Sequence, residues 1–253
     1  MRTLFPRLLA CLLVCLLAPA AWSADRTLVA GAAAAPDIFG ARAARTVLRQ
    51  GGNAVDAAVA TGFALAATYP EAGNLAGGGF MTLWVDGKPY FLDFRETAPR
   101  AATADMYLGK DGNPVPNLST VGNLSSGVPG TVMGLAEAHR RFGRLTWKQD
   151  LAPAIALARD GFVVPAGLAA ERAEVSATFA ATDFKPWAAA LRTGNRFRQP
   201  QLAATLQRIA DQGPKGFYAG KTADLIVAQM ARGPVKGLIT RGDLARYRAV
   251  WRT

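Results

Sequence analysis

The sequence predicts an α+β protein in which helices pack in layers on a central sheet. Two observations carry that reading. Residues Ala54 to Thr68 are small or apolar nearly all round, and a helix of that composition must be buried on every side. Phe80-Met81-Thr82-Leu83-Trp84-Val85 is almost continuously apolar, as suits a strand covered on both faces. A buried helix that leads into a buried strand calls for helices stacked on a sheet.

The elements follow in order. Thr27 to Ala33 reads as a short strand, and Ile38, Phe39, Ala43, Val47 and Leu48 then recur at helical spacing. Gly51-Gly52 stops that helix, and Asn53 is a good N-cap for the Ala54 to Thr68 helix, which Tyr69-Pro70 ends. After a glycine-rich loop and the Phe80 to Val85 strand, Asp86-Gly87 is a strong hairpin turn, with Tyr90 to Phe94 as the returning strand. Ala98 to Leu124 is polar, contains Pro99, Pro114 and Pro116, and reads as a long ordered excursion. Ser126-Gly127-Val128-Pro129-Gly130 is a turn that opens a helix from Thr131 to Phe142. Further helices are expected over Leu151 to Arg159, Gly167 to Ala180, Gln201 to Gln212 and Thr222 to Arg232. No internal repeat is visible.

The first 24 residues are of another kind. Arg2 and Arg7 precede an apolar run from Leu8 to Ala18 and then small residues, the pattern of a secretory signal peptide cleaved after Ala20, Ser23 or Ala24. The run is shorter than the roughly 20 residues a bilayer span needs, so residues 25–253 are expected as one domain, exported and with no membrane segment. Cys11 and Cys15 both lie in the leader, which leaves no mature thiol or disulfide, and neither has the setting of a lipidated cysteine. The formal charge of +11 falls to +9 without Arg2 and Arg7. Arg42, Arg45, Arg49, Arg140, Arg141 and Arg144 are scattered on presumed helix faces with no interleaved aromatic stripe, so a solvated basic surface is expected and nucleic acid is not.

Few residues can carry chemistry. His139, the lone histidine, stands beside Arg140 and Arg141 and is expected on a solvent-facing helix side. With no second histidine and no mature cysteine, the familiar hydrolytic triads and a zinc site of usual composition are both disfavoured. Gly216 to Thr222 resembles a phosphate loop, but three residues rather than four separate Gly216 from Gly220 and a helix rather than a strand precedes it, which leaves Lys221 as an exposed helix-start residue. Gly77-Gly78-Gly79 requires either positive φ angles or close backbone approach, in a tight turn under the sheet or beside a ligand. Arg95 ends an apolar strand, so its guanidinium is expected to be partly desolvated and to need an anion. Strand alternation puts Asp93 on its face and Glu96 on the other, so the anion is either Asp93 in a structural pair or a substrate carboxylate.

Taken together, the segments Gly51 to Ala58, Gly73 to Phe80 and Asp93 to Glu96 resemble, in order, the large-subunit part of the γ-glutamyltransferases, which are N-terminal-nucleophile hydrolases. So do Ser126 to Thr131, Pro153 to Phe162, Leu238-Ile239-Thr240 and Asp243 to Tyr247. The resemblance spans nearly the whole mature chain. It implies a layered αββα fold of which this chain supplies the large-subunit portion only. It also implies a precursor that cleaves itself, exposing a threonine whose own α-amino group serves as base in its attack on a γ-glutamyl amide. The acyl-enzyme then passes the glutamyl group to water or to an amino acid or peptide.

On that resemblance Arg95 holds the substrate α-carboxylate and Glu96 supports the site. Glutathione-like γ-glutamyl compounds, amino-acid or peptide acceptors and the protein's own small subunit are the implied partners, with no cofactor and no metal, in a secreted or periplasmic setting. Two departures stand out. Ala35-Pro36 replaces the family's usual His-Pro, and the chain ends at Arg252-Thr253 before the nucleophilic threonine and the glycine-rich oxyanion segment. Thr253 is not that nucleophile, so no catalytic residue is expected within the chain, and alone it should be inert with apolar sheet edges unpaired. A glutaryl or cephalosporin-type acylase of the same branch, or a noncatalytic binding protein, are the alternatives. An α-carboxylate clamp disfavours the acylase, because a glutaryl group has no α-amino acid head.

Overall fold

Residues 31–170 and 184–252 are described by the computed structural model. The expected leader over residues 1–24, most of the strand expected over Thr27 to Ala33, the second part of the Gly167 to Ala180 helix and Thr253 lie outside the described residues. Residues 31–35 carry no regular structure, and residues 166–170 are helical.

Helix α1 (Ile38–Arg49) is capped by Asp37, whose Oδ1 accepts from the Gly40 amide at 2.6 Å. It buries a stripe of Ala43, Ala44 and Val47 against Ala57, Ala60 and Ala64 of α2 (Ala54–Thr68). The other side of α2 sends Val55, Val59, Phe63 and Ala67 into the main core. The all-round apolar character of α2 thus has a geometric cause: it is sandwiched, with small residues where α1 approaches and large ones where the core is thick.

Strands β1 (Phe80–Val85) and β2 (Lys88–Asp93) form the expected hairpin, with Phe80 opposite Asp93 and Val85 opposite Lys88. The turn residues Asp86 and Gly87 both have positive φ, 50° and 75°, as the tight primed turn of a two-residue hairpin requires. Strand β5 (Val250–Arg252) joins the other edge of β2 antiparallel, giving a three-stranded sheet in the order β1-β2-β5. Leu83 and Leu92 on one face enter the main core with α3 (Thr131–Phe142) and α4 (Trp147–Asp160). Among the described residues nothing covers the other face, where Phe80 is 56% and Trp84 73% exposed. The expectation of a strand buried on both faces is therefore corrected, because the helices of the described residues that meet this sheet all contribute to the core under Leu83 and Leu92.

The excursion from Ala98 to Leu124 is irregular, with a short 3₁₀ turn at Asn123–Ser125. A two-stranded ribbon, β3 (Phe162–Val163) with β4 (Arg196–Phe197), and α5 (Lys185–Ala190) carry a satellite apolar cluster of Phe162, Val164, Leu191 and Phe197. Helices α6 (Pro200–Gln212), α7 (Lys215–Tyr218), α8 (Gly220–Met230) and α9 (Arg241–Arg246) then lead back to β5. Among the described residues no helix is long and apolar enough to cross a membrane.

Candidate substrate-binding site

The glycine-rich loop, the end of β2 and the turn before α3 meet at one place. Backbone bonds between Gly79 and Phe94 (2.9 and 3.3 Å) extend the β1-β2 ladder by a pair, and Thr97 then pairs with Val128 (2.8 and 3.3 Å). The Gly77 carbonyl accepts from the amides of Gly130 and Thr131 at 2.7 and 3.0 Å. Asn74 Oδ1 accepts from the Gly77 amide and the Thr131 hydroxyl, both at 2.7 Å. None of Gly77, Gly78 and Gly79 has positive φ, so close approach is their reason for being glycine. A Cβ on Gly78 would stand 2.6 Å from the Phe94 carbonyl oxygen and 2.7 Å from both the amide nitrogen and Oε2 of Glu96. Gly78 and Gly79 thus approach the chain segment that bears Arg95, whereas Gly77 approaches the Asn74 side chain.

Arg95 differs from expectation in two respects. Its side chain is 61% exposed rather than desolvated, because the chain leaves the sheet at Phe94 and the residue stands on the turn beyond it. Its ion-pair partner is Glu96, with Nε 3.4 Å from Oε2, and not Asp93. Strand alternation cannot be extended past Phe94, so Arg95 and Glu96 reach each other despite being neighbours. Asp93 is engaged elsewhere. Its Oδ1 accepts from the Arg95 amide at 3.0 Å and its Oδ2 pairs with Arg252 at 2.7 Å. The Arg95 amide bond and the Arg252 guanidinium together hold the Asp93 carboxyl below its ordinary range. Glu96 Oε2 is buried without a hydrogen bond, its contact with Arg95 being purely electrostatic. Among the described residues the Arg95 guanidinium makes no hydrogen bond, its Cζ standing 5.9 Å from the Phe80 ring centroid, which leaves the donors of its two terminal nitrogens available as the fork that suits a carboxylate.

Beneath this turn lies Tyr247, 4% exposed, whose hydroxyl donates to the Arg95 carbonyl at 2.9 Å. Its ring stacks parallel on Tyr218 at 5.9 Å, and the Tyr218 hydroxyl donates to the Pro129 carbonyl at 2.9 Å. Burial, then the charges of Asp93 and Glu96, push the Tyr247 hydroxyl up to about 12.

His139 is not on a solvent-facing surface. Its side chain is 16% exposed, its Nε2 donates to the Leu145 carbonyl at 2.9 Å and its ring meets Trp147 edge-on at 5.2 Å. The cause is that the chain folds back immediately after α3, bringing Leu145 over the last helical turn. Asp56 and Asp150, both fully buried, lie beside it, and one ligand atom from each of the three falls within 4.8 Å of the others. The donors available for a cation are few. Asp56 accepts from the amides of Asn53, Arg144 and Leu145 at 2.7 to 3.2 Å, and His139 Nε2 is committed to Leu145. Asp150 alone has no hydrogen bond. Lys221 is exposed at the start of α8 and α6 is the element before its loop, as the failed phosphate-loop spacing implies.

Residues 40–253 match the family model described as gamma-glutamyltranspeptidase. This chain belongs to the γ-glutamyltranspeptidase family. It is 57% identical over 227 residues to a glutathione hydrolase proenzyme of Pseudomonas aeruginosa, covering 89% of this chain and 40% of that protein. The solved structure of the γ-glutamyltranspeptidase from Pseudomonas nitroreducens complexed with L-DON is similar at 56% identity and a TM-score of 0.86, over 89% of this chain and 67% of that one. The Helicobacter pylori γ-glutamyltranspeptidase follows at 40% identity and 0.84, over 88% and 65%. The chain therefore spans about two fifths of the curated relative's length.

The structure brings the expected Arg95 and Glu96 together with Tyr247, Asn74 and Arg252, which the sequence did not single out. One signal was available: Thr240-x-x-Asp243 is a capping box, and the box is formed, which fixes α9 and hence the residue that follows it. The pairing of Arg252 with Asp93 spans 159 residues and leaves no local trace.

Proposed function

We propose that this chain is the large-subunit portion of a γ-glutamyltransferase that hydrolyses or transfers the γ-glutamyl group of glutathione-like compounds, and that Arg95 is its clamp for the substrate α-carboxylate. The observation that carries the reading is Arg95 itself: an exposed guanidinium, tethered by Glu96 at 3.4 Å, on a turn fixed by hydrogen bonds to both its amide and its carbonyl. A bidentate contact there would fix the glutamyl group in register for attack on its δ-carbonyl. Glu96 limits where the exposed guanidinium can stand. Family membership and the likeness to a glutathione hydrolase proenzyme support the activity.

The nucleophile in this reading is a threonine exposed by self-cleavage of a longer precursor, in line with the length of the relatives. Its hydroxyl attacks the amide carbon, its own α-amine takes the proton, and the amine leaves; water or an amino-acid or peptide amine then releases the acyl group. The reading includes residues 1–24 as a leader for export to a secreted or periplasmic site and residues 25–253 as one domain. Glutathione, acceptors and the small subunit are its partners.

The test is hydrolysis of γ-glutamyl-p-nitroanilide by the full open reading frame, by its Arg95→Ala variant and by the 253-residue chain alone. Loss of a charge-assisted contact predicts a rise in KM of roughly 10- to 100-fold for Arg95→Ala, and no turnover by the 253-residue chain. An unchanged KM sinks the clamp. Equal turnover of glutaryl-p-nitroanilide, which lacks the α-amino acid head, would support the acylase instead.

A further inference from the structure

The exposed Arg95 side chain has two contacts and no hydrogen bond, the Glu96 carboxylate at 3.4 Å and the Phe80 ring, whose centroid is 5.9 Å from its Cζ, so where its guanidinium stands depends on its backbone. That backbone is held from a distance. The carbonyl accepts from the Tyr247 hydroxyl at 2.9 Å, and the amide donates to Asp93, whose other oxygen takes Arg252 at 2.7 Å. A third tie, from the Arg100 amide to Asp243 Oδ1 at 3.2 Å, fixes the same two segments a few residues on. Tyr247, Arg252 and Asp243 all belong to the run 240–252, whereas everything they hold lies between Asp93 and Arg100. Tyr247 is the buried member at the centre. Its hydroxyl and the Phe94 carbonyl both press on Gly130, where a Cβ would overlap them, and its ring is fixed by the parallel stack on Tyr218.

We propose that Tyr247 is a positioning residue for Arg95, with Arg252 acting through Asp93 as the second strut, so that the 240–252 segment sets the affinity of this site for substrates that carry an α-carboxylate. This rests on the carboxylate-clamp reading of Arg95 given above. A rigid, buried support under an exposed working group is what a binding residue whose guanidinium makes no hydrogen bond of its own needs.

The experiment uses self-processed enzyme from the full-length precursor, with γ-glutamyl-p-nitroanilide and its α-carboxamide analogue as substrates. Tyr247→Phe deletes one hydrogen bond and keeps the stack. It is expected to raise KM for the carboxylate substrate about three- to tenfold, the worth of one buried hydrogen bond, with kcat within about twofold. Its kcat/KM for the carboxamide should equal that of the unaltered enzyme. Arg252→Gln should shift KM in the same direction by less, and it decides the question if Tyr247→Phe does not accumulate. If Arg95→Ala raises KM while neither variant does, or if the variants slow both substrates equally, Tyr247 only stabilises the fold and the inference is overturned. If Arg95→Ala itself leaves KM unchanged, the clamp fails first and the inference with it.

Discussion

Asp150 is a carboxyl group with no hydrogen bond, fully buried in the first turn of α4, facing the cap residue Asp56 from α2 and His139 from α3. Burial first, then the charge of Asp56, pushes its ionisation up to about 8 from 3.8. The folded protein thus keeps a proton that the unfolded chain has already lost. Between about pH 4 and pH 8 each unit of rising pH favours unfolding by up to about 1.4 kcal/mol, and above pH 8 the penalty is complete and constant. Thermal midpoints should therefore fall from pH 5 to pH 8. Asp150→Asn keeps the shape without the charge, and it should flatten that fall and stabilise the protein at pH 8; an unaltered pH profile would mean that another group sets it.

At the scale of elements, the motif Gly51-Gly52-Asn53-Ala54-Val55-Asp56 does more than start a helix. Asn53 Oδ1 accepts from the Val55 and Asp56 amides, Asp56 returns a bond to the Asn53 amide, and Asn53 Nδ2 reaches the Phe142 carbonyl at 2.6 Å. One capping box therefore ends α3 while it begins α2. Asn53→Ala should cost about 1 kcal/mol for the cap alone and more for the freed Phe142 carbonyl, read as a lower urea midpoint with an unchanged slope. A loss well below that figure would show that solvent replaces both bonds. Such local chemistry is why α2, α3, β1 and the hairpin turn are legible to the residue, and β2, expected over Tyr90 to Phe94, within two positions: each is specified by a cap, a turn pair or a periodicity within a few positions. The ends of α4, α6 and α8 came within a few residues for the same reason. The strand β5 and the helices α5 and α9 are too short to show a period. The site was half legible. Arg95 and Glu96 announce themselves as charges at the end of an apolar strand, but the exposure of Arg95 and its buried support depend on contacts made across 152 and 159 residues.

For the molecule as a whole, the uncovered sheet face decides how the 253-residue chain behaves by itself. Phe80, Thr82 and Trp84 of β1 share that face with Pro89 and Phe91 of β2, and Phe80 stacks on Phe91 at 5.5 Å. Among the described residues strand β1 is also an edge of the sheet, with no strand paired to its outer side. An apolar face that ends in an open edge is a template for association, through burial and through added ladder bonds alike. The isolated chain is therefore expected to elute from a sizing column as oligomers or aggregate at micromolar concentration. Trp84, the most exposed of these side chains at 73%, faces Pro89 and touches no core residue's cluster, so Trp84→Lys should place a charge on the face without unfolding the protein. The soluble monomer fraction should then rise severalfold while the circular dichroism spectrum holds. A monomeric parent chain would show that the face is too small to drive association, whereas aggregation that persists in Trp84→Lys with native helicity would place the sticky surface elsewhere.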